Sequence, residues 1–163
     1  MKKIIVIGCP GSGKSHFSSR LHKMSGIPLY HLDMMYWNTD KTVVEKALFL
    51  ERLNGALFSD EWIIDGNYIS TMELRLSMCD TVFFLDYPTD VCLCGIRERI
   101  GVPRADMPWT EIAEDPEFVE FVKNFRNNTR PRILELMHKY REKKIFVFHE
   151  REDEERFLAS VKF

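Results

Sequence analysis

Apolar residues in this chain fall into two spacings. Ile4-Ile5-Val6-Ile7, Trp62-Ile63-Ile64, Val82-Phe83-Phe84-Leu85 and Ile145-Phe146-Val147-Phe148 are unbroken runs with no polar alternation. A strand apolar on both faces must be covered on both faces, as in a parallel sheet between helix layers. The runs predict strands over residues 2–7, 62–64, 81–85 and 144–148, with a shorter one over 29–32. Between them, apolar residues recur at helical steps. Val44, Ala47, Leu48, Leu53 and Leu57 predict a helix within 42–58. Phe118, Phe121, Val122 and Phe125 predict another beginning at Pro116.

Punctuation supplies the remaining boundaries. A helix opens at Lys14 and is stopped by Gly26 and Pro28. Ser70 and Glu73 have capping-box spacing, which starts a helix there. Pro88 opens a helix reaching about residue 100, Pro131 kinks or restarts the helix of Pro116, and a last helix covers 152–161. Residues 101–115 contain two prolines and a glycine and read as loop. Strands alternating with helices predict an α/β fold: three α/β/α layers around a five-stranded parallel sheet with right-handed crossovers.

Composition narrows this picture. The 163 residues are 45% hydrophobic and 29% charged, which suits one globular domain over 1–163. The net charge is −2, and each half balances its acids and bases, so no basic stripe marks a duplex-DNA binder and no clear nucleic-acid-binding surface is expected. No apolar run approaches the roughly 20 residues that span a bilayer, so no membrane association is expected. Four cysteines without a CxxC pair read as reduced thiols of a cytoplasmic protein. The histidines show no metal-ligand spacing.

The first strand runs directly into Gly8-Cys9-Pro10-Gly11-Ser12-Gly13-Lys14-Ser15, a complete G-x-x-x-x-G-K-[ST] phosphate loop followed by a helix. A chance match in a chain this long is on the order of 1%. Such a loop turns successive backbone N–H groups inward around phosphate oxygens, and the helix that follows aims its positive end at the same anion. Lys14 is then the cation for the β- and γ-phosphates, and the Ser15 hydroxyl a ligand for Mg²⁺. The candidate nucleotide-binding positions are Gly8, Pro10, Gly11, Ser12, Gly13, Lys14, Ser15 and His16; Pro10 and His16 enter only by their place in the loop and first turn. The expected small molecules are ATP and Mg²⁺. No N-K-x-D base-reading motif follows a late strand, which disfavours a GTPase, and the chain is short for a helicase core.

Arginine distribution points to transfer of the phosphoryl group. Six of the 12 arginines (Arg97, Arg99, Arg104, Arg126, Arg130 and Arg132) fall within 97–132, around an acidic, aromatic stretch. A helical lid over about 101–130 with arginines at its roots would expel water and bring cations to the transferring group. Arg104 and Arg130 are its candidate catalytic cations. Asp65-Gly66-Asn67-Tyr68 closes the third strand: Gly66 allows close approach of a ligand, and Asn67 and Tyr68 are candidate acceptor-pocket residues. Trp37 and Trp62 read as packing.

Several segments resemble one family. Val6 through Ser15, His31-Leu32-Asp33, Tyr36-Trp37, Trp62 through Tyr68, Arg75-Leu76, Asp80-Thr81, Phe84-Leu85-Asp86, Cys92-Leu93, Arg104-x-Asp106-Met107 and Arg130-Pro131 are similar, in order, to the DNA topology modulation proteins. These form the FlaR-like group of adenylate-kinase-like P-loop NTPases. The chain departs from the group at residues 38–43, which lack its second tryptophan, and at Pro108-Trp109-Thr110-Glu111, which replaces its G-C-x-E segment. The resemblance implies a carboxylate at Asp33, at the end of the second strand, that faces the acceptor hydroxyl or the Mg²⁺ shell. It implies that Asp65 holds metal-bound water, that Arg75 grips an acceptor phosphate, and that Arg97 lies beside the nucleotide base. The implied activity is transfer of the γ-phosphoryl of Mg-ATP to a nucleotide, nucleoside or other small metabolite. The alternatives are a non-catalytic ATP switch linked to DNA topology and an ATPase without acceptor.

Overall fold

Strand β1 (Lys3–Gly8) runs through the middle of the sheet, and Ile4 to Ile7 are wholly buried. The computed structural model describes residues 1–163. In chain order β1 is followed by α1 (Lys14–Ser25), β2 (Leu29–His31), α2 (Leu32–Tyr36), α3 (Lys46–Leu57), β3 (Trp62–Asp65), α4 (Ile69–Met78) and β4 (Thr81–Leu85). Then come α5 (Thr89–Glu98), α6 (Pro116–Asn128), α7 (Arg130–Lys139), β5 (Lys144–Phe148) and α8 (Arg151–Ser160). The sheet order is β2-β3-β1-β4-β5 with every neighbouring pair parallel. The predicted α/β architecture is therefore the observed one.

The order places a switch point at β1. The chain leaves β1 toward β3 and β2 and later returns on its other side through β4 and β5. The crevice outside the carboxyl ends of the strands opens at such a point, and the phosphate loop lies there. Beneath one face, Phe17 of α1 packs edge-on against Phe83 at 5.0 Å and Phe148 at 5.5 Å, with Phe157 of α8 completing the cluster. Each such buried ring contributes roughly 1.5–3 kcal/mol. Trp62 is also fully buried, its indole N–H donating to the Leu57 carbonyl at 3.2 Å, which fits its reading as packing.

Four local expectations change. Strand β2 ends at His31, so Asp33 is the second residue of the short helix α2 and not the end of a strand. Helix α3 starts at Lys46 because residues 37–43 form a turn closed by a bridge between Trp37 and Val43. Ser70 and Glu73 form no capping box: Tyr68 is the N-cap of α4, which leaves Ser70 inside the first turn, and Glu73 pairs with Lys139 instead. The segment 101–130 is not one loose cap. Residues 101–115 are irregular, but α6 sends Val119, Val122 and Phe125 into the core. Asp115 caps α6 by accepting from the backbone of Glu117 and Phe118, and Pro131 restarts the chain as α7.

Candidate active site

Two cavities meet at the phosphate loop. One, about 340 Å³, runs past Gly13, His16, Glu98, Arg104 and Arg151; the other, about 890 Å³, opens beneath residues 107–115. Lys14, Ser15, Arg99 and Asp106 border both. A group passing from one cavity to the other passes these four side chains.

The loop is held by close backbone packing. Gly11 sits at φ 84°, and a Cβ there would lie 2.0 Å from the Cys92 carbonyl oxygen of α5, so only glycine fits. Asn67 clips the loop from the other side: its Oδ1 accepts from the Gly8 N–H at 3.0 Å, and its amide donates to the Gly8 carbonyl at 2.7 Å. Asn67 thus borders the larger cavity while its amide is spent on the start of the loop. Lys14 donates to the Cys9 carbonyl at 3.1 Å, and burial lowers its pKa from the usual lysine value. Ser15 Oγ donates to Asp106 Oδ2 at 2.7 Å.

Strand register assembles the carboxylates. His31 and Asp65 are partners across β2 and β3, and His31 Nδ1 lies 2.9 Å from Asp65 Oδ1. Burial opposes protonation of His31, but the Asp65 hydrogen bond and charge outweigh it and raise its pKa. Asp65 Oδ2 is buried without a partner. Asp33 borders the larger cavity and accepts from the Tyr68 hydroxyl at 2.6 Å. Burial pushes the Asp33 carboxyl above its usual range, against the lowering effects of Tyr68 and Lys14.

Tyr68 adopts φ 28°, a conformation non-glycine residues rarely take. Holding it there costs about 1–3 kcal/mol, which the surroundings must offset. Arg75 does so. It is fully buried and donates to the carbonyls of Gly66 at 2.9 Å, of Asn67, and of Tyr68 at 3.2 Å. Burial lowers its pKa to about 10, so the guanidinium stays charged at neutral pH. Arg75 therefore braces the loop after β3 and borders neither cavity. Gly66 borders the larger one.

The arginines around 101–115 separate by position. Arg104 borders the smaller cavity, 3.5 Å from Asp106 and 3.6 Å from Glu111, with buried Nε and Nη2 atoms lacking hydrogen-bond partners. Arg97 is exposed and paired with Glu114 at 2.9 Å, outside both cavities. Arg130, in the first turn of α7, forms a two-pronged pair with Asp86 at 2.7 Å per hydrogen bond and also borders neither.

Residues that carried no individual site role in the sequence reading complete the setting. His31 enters through strand register: it and Asp65 both end their strands in the structure, which the strand predicted over 29–32 concealed. Arg99 reaches Glu111 at 3.5 Å and lies over the Phe118 ring at 5.5 Å. Trp109 meets Trp37 edge-on at 5.0 Å, so Trp37 lines the cavity rather than the core.

The sequence matches no protein-family model and no curated protein. Solved structures do resemble it. Shikimate kinase from Acinetobacter baumannii, in complex with shikimate, aligns over 99% of this chain and 96% of its own, with TM-score 0.64 and 15% identity. Shikimate kinase from Bacteroides thetaiotaomicron aligns over 96% of this chain and 93% of its own, with TM-score 0.55 and 17% identity. At these identities the likeness establishes the fold, a P-loop α/β domain. It does not bear on the DNA topology modulation group.

Proposed function

We propose that this protein is a small-molecule kinase that transfers the γ-phosphoryl group of ATP to a hydroxyl of a small acceptor. The observation that carries this reading is the meeting of two cavities at Lys14 and Ser15, one bordered by the phosphate loop and the other by Asp33. An ATPase without acceptor has no use for the second, and a switch acting on DNA is not favoured by a cleft lined with carboxylates.

The triphosphate lies on the loop, with its base toward the 340 Å³ cavity. The acceptor hydroxyl approaches from the other cavity. Its oxygen forms a bond to the γ-phosphorus as the bond to the bridging oxygen of ADP breaks, and its proton passes to Asp33. Tyr68 occupies Asp33 Oδ1 and leaves Oδ2 free of protein partners. Lys14, Arg99 and Arg104 supply positive charge where the transferring group passes. Ser15, Asp106 and Asp65, whose Oδ2 is unpartnered, all border the larger cavity and are the oxygen donors that would hold Mg²⁺, which would neutralise phosphate charge. The 101–115 segment, whose one buried residue is Asp106, serves as the lid.

The test is transfer from γ-labelled ATP to a panel of nucleosides, nucleoside monophosphates and small hydroxylated metabolites, beside Lys14→Ala. Label should appear on an acceptor only with the wild-type protein. Release of inorganic phosphate that no panel member alters would sink the kinase reading.

A further inference from the structure

We infer that the acceptor is a hydroxylated molecule with a ring or apolar body and no carboxylate or phosphate group. This rests on the kinase reading and names the class of molecule its acceptor cavity takes.

Charge is the first observation. Five carboxylates border the 890 Å³ cavity, Asp33, Asp65, Asp106, Glu111 and Asp115, against the cations Lys14, Lys41 and Arg99. None of the three cations is placed to receive an anionic acceptor. Lys14 is bound to the phosphate loop. Arg99 sits at the junction of the cavities, 3.5 Å from Glu111 and over the Phe118 ring, where it serves the transferring phosphoryl group. Lys41 is exposed at the rim. Arg75, the arginine closest in sequence to the acceptor loop, is turned away and donates to three carbonyls. Carboxylates and phosphates are ordinarily held by a two-pronged arginine; the one arginine bordering this cavity, Arg99, faces Glu111 and stands at the junction through which the transferring phosphoryl group passes. An anion entering would lose its hydration and meet a surplus of carboxylates.

Aromatic surface is the second. Tyr36, Trp37, Tyr68, Trp109, Phe118 and Phe121 border the same cavity. Trp109 stands on the 101–115 segment and meets Trp37 edge-on at 5.0 Å, so the two tryptophans join into one continuous aromatic wall. Such walls hold a flat neutral ring by stacking and an ammonium group by its attraction to the ring faces. Asp33 and Glu111 tolerate both kinds of guest.

Matched acceptors on the full protein, with Mg²⁺ and a non-hydrolysable ATP analogue, test the inference. One set shares a phenyl ring and a hydroxyl: 1-phenyl-1,2-ethanediol is neutral, 2-amino-1-phenylethanol cationic, and mandelate anionic. Thymidine against thymidine monophosphate, and shikimate methyl ester against shikimate, extend it. Binding is read by ligand-observed NMR and transfer by labelled ATP. The neutral or cationic member should bind at least about tenfold more tightly than its anionic partner, and transfer should follow the same order. The neutral and cationic arms show which guest the walls serve. Trp109→Ala should weaken the favoured member about fivefold. Equal or tighter binding of the anionic partners, or no binding by any neutral or cationic member, overturns the inference. Transfer to an anionic acceptor in preference to its neutral or cationic partner would overturn it while leaving the kinase reading intact. Preferential binding without any transfer would overturn the kinase reading and, with it, the inference that the bound molecule is an acceptor.

Discussion

The phosphate loop and the acceptor cavity face each other across Lys14, and they are made in different ways. The loop is eight consecutive residues whose work is done by backbone: Gly8 and Gly11 where a Cβ would collide, a strand before and a helix after. The cavity draws its walls from α2, the loop after β3, the end of α5, the 101–115 segment and α6. Its shape depends on paired side chains: Tyr68 on Asp33, Asp65 on His31, Arg99 on Glu111. A backbone cradle depends on a few positions and fails outright when one of them is lost. A cavity of cooperating side chains can change its guest while keeping its fold. Damage on the two sides should therefore look different.

The largest effect is expected on the loop. Lys14→Ala removes the cation nearest the transferred group, with a loss of about 10²–10³ in kcat/KM. Lys14 is not part of the apolar core, so the thermal midpoint should barely move. Steady-state kinetics and a melting curve on one preparation check both halves. Full activity in a folded variant would remove the triphosphate from this loop.

On the acceptor side, Asp33→Asn should lower kcat about 10²-fold, at the modest end for a general base because phosphoryl transfer asks mainly for positioning. The stability effect has the opposite sign. Burial holds the Asp33 pKa above its unfolded value, so the native state binds this proton more tightly than the unfolded chain does. Its contribution is favourable at low pH and is lost as pH rises through the native pKa. Asp33→Asn removes that loss while keeping an acceptor for the Tyr68 hydroxyl. At neutral pH the variant should melt at the same temperature or higher. The wild-type rate should fall on acidification from a pH above the ordinary carboxylate range. Normal turnover by Asp33→Asn would exclude it as the base, and a large drop in melting temperature would show that it braces the fold.

The same contrast accounts for what could be read in the sequence. The loop was legible because its determinants are contiguous and its flanks follow from the unbroken apolar run before Gly8. Asp65 was legible as the residue that closes such a run. The His31–Asp65 pair spans 34 residues and Arg130–Asp86 spans 44, so each depends on which strands and helices become neighbours. Ser70 and Glu73 misled because capping-box spacing says nothing of the preceding backbone, and Tyr68 at φ 28° had already taken the cap position. Arg75 was found as a residue, but its direction was not: three buried carbonyls compete for its guanidinium, and only the folded loop presents them.

That competition supplies the third prediction. Arg75→Ala leaves the carbonyls of Gly66, Asn67 and Tyr68 without their donor and releases the strained Tyr68. The expected cost is about 3 kcal/mol, near 6–12 °C in melting temperature for a chain of this size. Activity should fall with it through an increased KM for the acceptor, because Tyr68 and Asp33 lose their register. ATP affinity, measured separately, should change far less. A variant of unchanged stability that loses affinity only for phosphorylated acceptors would return Arg75 to the role of a phosphate grip.

The smallest effect is expected at Arg130. Its Nε and Nη2 donate in parallel to the two oxygens of Asp86, whose side chain is 4% exposed and whose backbone N–H is held by the Phe148 carbonyl. The pair ties α7 to the carboxyl end of β4, on the rigid side of the molecule. Lysine at 130 keeps the charge but offers a single ammonium in place of the planar fork, so one of the parallel bonds is lost. Arg130→Lys should cost about 1 kcal/mol and lower the melting temperature by about 2–4 °C, with kcat and KM for both substrates unchanged. The reverse pattern, an unchanged melting curve with a depressed kcat, would mean that Arg130 leaves Asp86 during the reaction and reaches the phosphoryl group. It would then belong to the changeable side of the molecule, and the lid would extend beyond residue 115 into the helices that the resting structure packs against the core.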